Sequence, residues 1–191
     1  MQKTPTLFLR NFEENPKYVT DIPNPECAWV FEGEGIPTRK YDGTCCMFDG
    51  TNWFKRREIK PGRTAPAEFI ELNNDPNTGK RMGWMPLTAE DKLHWEAIAT
   101  HEGTFAPGTY EMCGPKVRGR GSRHNPEDLE GHIMIAHASA EVLDCPREYG
   151  ALKEWLREID FEGVVFHHPD GRMAKIKRRD FDLRPEPAPE M

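Results

Sequence analysis

Lys40, Tyr41, Asp42 and Gly43 set out an amine, a carboxylate two residues later, and then a glycine. On an extended strand Lys40 and Asp42 would face the same side, and the glycine lets the backbone turn or approach a ligand closely. A lysine in such a setting can act as a nucleophile once it loses its proton near neutral pH, which neighbouring cations or a bound metal promote. Alone, Lys-x-Asp-Gly is also what a surface lysine before an Asp-Gly turn looks like. The pattern gains weight only from residues further along the chain.

Downstream, Glu162-Gly-Val-Val165 puts a carboxylate at the start of an apolar strand. Lys175-Ile-Lys177 alternates, with two lysines on one strand face and Ile176 on the other. Two ammonium groups side by side suit a polyanion such as a triphosphate. Between these stretches lies Gly108-Thr-Tyr-Glu-Met-Cys113, in which Glu111 is flanked by apolar residues. A half-buried glutamate needs a partner. That partner is either a cation on a neighbouring strand or a ribose hydroxyl. A Gly/Arg-rich stretch carrying Lys116, Arg118, Arg120 and Arg123 could grip a nucleic-acid backbone or a triphosphate.

These residues need elements to hold them. Thr44–Phe48, the Asp49-Gly50 turn and Asn52–Arg56 predict a hairpin; Gly108–Cys113 and His132–His137 predict strands. Gly163–His167, a turn at Pro169-Asp-Gly171 and Met173–Lys177 predict a second hairpin, and Cys27–Phe31 a further strand. Thr88 and Asp91 form a capping box that opens a helix reaching about Ala99. Tyr149, Leu152, Trp155, Leu156 and Ile159 recur at spacings of three and four, which predicts an amphipathic helix over 147–159. Pro5, Pro16, Pro23 and Pro25 suggest that the first 25 residues lie over the surface. Many short strands with few helices imply an antiparallel-rich α+β domain.

The 191 residues suit one domain, long enough to bury a core without disulfides. A net charge of −6 argues weakly against nucleic acid as a partner, but the charges are sorted. Fourteen of the 26 basic residues lie in three short windows, at 55–63, 116–123 and 172–179, so one basic groove can exist on an acidic body. The five cysteines include no Cys-x-x-Cys and form neither a disulfide framework nor a zinc site. No apolar run approaches the roughly 20 residues needed to span a bilayer, and no apolar leader opens the chain. A soluble, cytoplasmic monomer without membrane contact is the expectation.

In their order, Lys40-x-Asp42-Gly43, the strand Glu111, Glu162-Gly-Val-Val165 and Lys175-x-Lys177 resemble motifs I, III, IV and V of the covalent nucleotidyltransferases. That superfamily contains ATP-dependent DNA ligases, RNA ligases and mRNA capping enzymes. The resemblance spans roughly residues 36–181, and Tyr110–Lys116 and Lys175–Phe181 look most like RNA ligases. It implies the antiparallel-rich α+β fold of a ligase adenylation domain, ATP-grasp-like, over residues 1–183, with a Pro-rich tail at 184–191. It also implies roles. Lys40 would become the AMP-lysine, with ATP as donor and Mg²⁺ or Mn²⁺ as metal. Arg39, Asp42, Gly43, Glu111 (to the ribose), Lys175, Lys177 and either Arg56 or Arg57 would contact the nucleotide, and Lys175 would also be catalytic. Glu162 would hold the metal, and Lys116, Arg118, Arg120 and Arg123 would hold nucleic acid.

The partner implied is RNA with 5′-phosphate and 3′-hydroxyl ends, as in RNA repair, with DNA open as a second acceptor. The chain departs from the family in three places. The stretch Gly131–His137 lacks the aromatic that stacks on adenine, which leaves His132 or His137 as substitutes. Ten residues follow Phe181, so no appended OB-fold domain is expected. Residues 60–105 form a long insert whose helix is a candidate cover for the site. Two other readings stay open: a capping-type guanylyltransferase, and a non-catalytic nucleic-acid end-binding protein that keeps the fold.

Overall fold

Strands with period-two alternation are the main regular element among the described residues, and a computed structural model shows where each strand pairs. It describes residues 4–76, 78–117, 129–181 and 183. The strands are β1 (Phe8–Asn11), β2 (Asn15–Pro23), β3 (Ile36–Lys40), β4 (Thr44–Phe48), β5 (Trp53–Ile59), β6 (Ile70–Asn74), β7 (Arg81–Pro86), β8 (Gly108–Cys113), β9 (Ile133–Ala136), β10 (Gly163–His167) and β11 (Met173–Lys177). The α-helices are α1 (Ala28–Phe31), α2 (Lys92–Ala99) and α3 (Tyr149–Glu158). The architecture is mixed α+β with antiparallel sheets. Among the described residues no helix is long and apolar enough to cross a membrane. The expected tail at 184–191 lies outside the described residues.

The chain divides into two compact units, one of residues 41–140 and one of residues 4–40 with 141 onward. In the first, six antiparallel strands run in the order β6-β7-β5-β4-β8-β9. One face of this sheet carries Cys46, Trp53, Tyr110, Met112 and Met134, which pack with Ala97 of α2. Asp49 Oδ1 accepts from the Thr51 and Asn52 amides and so fixes the β4–β5 turn. The Thr88–Asp91 contact also forms, with the Thr88 amide donating to Asp91 Oδ2 at 2.9 Å. The helix itself runs from Lys92, with Asp91 as the residue before it, and the other oxygen of Asp91 is paired with Lys55. The insert at 60–105 holds β6 and β7 as well as α2, so it widens the sheet.

In the second unit three antiparallel strands run β11-β10-β3, and β1 pairs with β2. Val164, Phe166, Ala174 and Ile176 form the inward face and pack with Leu152 and Leu156 of α3. Two expectations fail here. Cys27–Phe31 is helical rather than extended. Asn24 Oδ1 accepts from the Glu26 amide, Pro25 opens the turn, and Gly33, at φ +91°, closes it with its amide on Val30. The cap and terminator chemistry outweighs the apolar run. The first 25 residues are not merely superficial either, since Leu7 and Phe8 are buried. The Leu7 amide donates to the Lys175 carbonyl at 2.9 Å, which ties this segment to β11 and carries the two side chains into the core.

Leu156 has no exposed surface and its site is walled by strands and helix. Leu156→Ala is expected to lower unfolding free energy by about 2–5 kcal/mol, read from the urea midpoint at unchanged slope.

Candidate active site

The motif residues divide between the two units. In the second unit, register alone gathers three of them. Lys40 at the end of β3 and Lys177 at the end of β11 both pair with Gly163 of β10. Directly paired residues point to the same sheet face. The two lysines therefore flank a position without a side chain. A Cβ on Gly163 would collide with the Ile176 carbonyl, and its φ of +155° is one that side chains disfavour.

Glu162, one residue earlier, fills the space between them. Its Oε2 accepts from Lys40 Nζ at 2.6 Å, and its Oε1 accepts from Lys177 Nζ. The Arg178 amide donates to the Glu162 carbonyl at 3.0 Å, while Phe161 beside it is buried near Trp155. The Lys177 amide donates to Asp180, itself paired with Arg10 at 2.9 Å. All three side chains of the trio are largely withdrawn from water, with 17%, 6% and 9% exposure for Lys40, Glu162 and Lys177. Burial alone would push the Glu162 carboxyl up, but the charges and hydrogen bonds of Lys40 and Lys177 hold it below the ordinary carboxylate range. Burial, opposed by Glu162 and aided by Lys40, holds Lys177 below the ordinary lysine value.

Lys175 lies two residues from Lys177 and shares its face, while Ile176 is buried on the other side. The reading of Lys175-Ile-Lys177 matches this placement. Arg39 goes the other way. It pairs with Val164 of the core face, its guanidinium lies 4.9 Å from the Phe161 ring centre, and it forms an ion pair with Glu141 at 3.6 Å. Arg39 is thus turned from the face that carries Lys40.

The first unit holds the remaining residues. Asp42 and Gly43 lie past the end of β3, outside any strand. A Cβ on Gly43 would collide with the Met112 carbonyl and crowd Glu111, so only glycine fits. Its amide donates to Glu111 Oε1 at 3.0 Å. Glu111 is buried, and its Oε2 lies 3.1 Å from His137 Nε2. Cys45 pairs with Glu111 and Cys46 with Lys55, which places Arg56 on the Glu111 face and Lys55 and Arg57 on the opposite one. Of the two arginines considered, Arg56 is the one that shares a sheet face with Glu111. Helix α2 packs on the other face, so the insert's helix does not cover Glu111 within this unit.

Of the two histidines considered for adenine, His132 is buried, with Nδ1 2.9 Å from Glu96. His137 has both ring nitrogens engaged, the second with Thr109 Oγ1 at 2.9 Å. Sequence reading did not anticipate the His137–Glu111 pair; the only signal was a histidine at the end of a strand. Lys116 is exposed, and Arg118, Arg120 and Arg123 lie outside the described residues. Among the described residues no three His, Cys, Asp or Glu side chains come together as a metal site. Burial pushes the thiols of Cys27 and Cys145 up to about 11, so neither offers a thiolate near neutrality.

A carboxyl whose folded-state pKa is lowered contributes stability above its unfolded value, and that stability is lost as pH falls through the folded value. Stability is therefore expected to fall with pH below the ordinary glutamate value of about 4.3. In Glu162→Gln this part of the acid limb should flatten. At neutral pH the same change strands two ammonium groups and is expected to cost about 3–5 kcal/mol, measured by denaturant unfolding.

No family model matches the chain. The chain is 21% identical to RNA ligase 1 of Pongo abelii over 267 aligned positions, which take in 95% of the chain and 81% of that protein. It is 26% identical to RNA ligase 1 of Danio rerio over 103 positions, half of the chain and 30% of that protein. The first alignment is longer than the chain itself, so the relative carries additional segments between the matched stretches. The likeness is distant, and it runs along nearly the whole chain.

Proposed function

We propose that this protein is an ATP-dependent RNA ligase of the covalent nucleotidyltransferase type, with Lys40 as nucleophile. The observation that carries the reading is the buried trio in which Glu162 joins Lys40 to Lys177 across Gly163. The distant likeness to proteins named RNA ligase 1 supports the same class. A lysine that merely decorates a surface has no use for a buried carboxylate shared with a second lysine, because desolvating such a cluster is expensive.

In the proposed reaction the neutral Lys40 amine attacks the α-phosphorus of ATP. The N–P bond forms, the bond from that phosphorus to the bridging oxygen breaks, and pyrophosphate leaves. Lys177 and Lys175, on the same face, would neutralise charge that grows on the phosphate oxygens. AMP then passes to the 5′-phosphate of an RNA end. Attack by a 3′-hydroxyl joins the ends and releases AMP. Glu111 would orient the ribose, and Arg56 would add a cation on the Glu111 face.

Glu162 is the residue that would hold the divalent cation. One buried carboxylate suits Mg²⁺ or Mn²⁺ that arrives with nucleotide phosphates and water, rather than a cage built wholly of protein groups. When bound, that cation would neutralise phosphate oxygens.

Incubation with Mg²⁺ and α-labelled ATP should leave acid-stable label on the protein. Lys40→Ala should abolish it, and Lys177→Met should slow its formation by roughly 10²–10³-fold, as loss of one transition-state donor does. Label from GTP in place of ATP would move the reading to guanylyl transfer. No label from either nucleotide contradicts the enzymatic reading, and the end-binding alternative would then stand.

A further inference from the structure

Strand β9 ends at Ala136, which pairs with Tyr110 of β8, and a short 3₁₀ turn begins at His137. The chain therefore delivers His137 opposite Thr109, one step past the last pair of the ladder. Thr109 and Glu111 are two apart on β8 and share a face. The imidazole spans them, with Nδ1 2.9 Å from Thr109 Oγ1 and Nε2 3.1 Å from Glu111 Oε2. A carboxylate can only accept, so Nε2 carries the proton in this contact, and in the neutral ring Nδ1 accepts from the threonine hydroxyl. The other oxygen of Glu111 is held by the Gly43 amide at 3.0 Å. The carboxylate is pinned at both ends inside a buried site, yet each oxygen retains a further lone pair.

We propose that His137 is a positioning residue: by holding Glu111 against Gly43, it sets the carboxylate that reads a ribose hydroxyl of the nucleotide. The inference rests on the nucleotidyltransferase reading and adds to it a residue and a selectivity. It also gives His137 a task other than stacking on the base. A flat ring tied edge-on at both nitrogens is committed to its two partners. The bond one ring nitrogen makes sets which nitrogen carries the proton, so the Thr109 contact fixes the tautomer and orientation in which His137 meets Glu111.

The test compares ATP with its 2′-deoxy and 3′-deoxy analogues in the Lys40 labelling reaction. The quantity read is the ratio of kcat/KM for ATP to that for the more poorly used analogue. In His137→Ala the KM for ATP should rise about tenfold and this ratio should shrink about tenfold, because the carboxylate no longer meets the hydroxyl. His137→Gln, whose side-chain amide reaches as far as Nε2, should restore the ratio to within about threefold of wild type. His137→Asn, whose amide reaches only as far as Nδ1, should not. Thr109→Val should shrink the ratio about threefold, which keeps the test open if His137→Ala does not fold. A histidine that serves stability alone would lower labelling from all three nucleotides by one factor and leave the ratio unchanged in every variant; that outcome overturns the proposal while the nucleotidyltransferase reading stands. Absence of label in the wild-type protein overturns both.

Discussion

A buried carboxylate between two lysines is the constraint around which the second unit is arranged. Glu162 cannot be withdrawn from water without compensation, and Lys40 and Lys177 supply it from the two strands beside β10. That geometry needs the strand order β11-β10-β3, a register that sets both lysines opposite residue 163, and no side chain at that residue. The Val164, Phe166, Ala174 and Ile176 face anchors the sheet on α3, so the polar row is held from behind by the apolar one. Packing in this unit thus positions the Lys40, Glu162 and Lys177 side chains.

The first unit solves a related problem with hydrogen bonds. Among the described residues, Glu111 is held by a backbone amide and an imidazole. Gly43 links that arrangement to the motif that carries Lys40, since only a residue without a Cβ lets its amide come so close. The glycine of Lys-x-Asp-Gly is thereby explained by a close approach, not by a positive φ.

Much of this was legible in the sequence where the signal was local. The hairpins read at 44–56 and 163–177 follow from alternation and turn residues, and α3 follows from apolar spacing. Placement of Lys175 and Lys177 on one face needed only period two. What was hidden depended on long-range pairing or on competing local signals. Cys27–Phe31 reads as a strand by composition, while Asn24, Pro25 and Gly33 impose a helical turn. Leu7 and Phe8 sit among prolines, and only the bond to Lys175 reveals them as core. The opposite facing of Arg39 and Lys40 follows from alternation, yet which face holds the core cannot be known before β3 is paired. The His137–Glu111 contact joins residues 26 apart through a register the sequence does not display.

Lys40 and Lys177 share one carboxylate and one row of the sheet, so their roles are separated most directly by seeing which of them is modified. Peptide-resolved mass spectrometry of the protein after incubation with ATP and Mg²⁺ makes that distinction directly. The account predicts a single adenylyl group carried by Lys40. An adenylyl group on Lys177 or Lys175 with Lys40 unmodified, or no adenylyl group on any lysine, would contradict it.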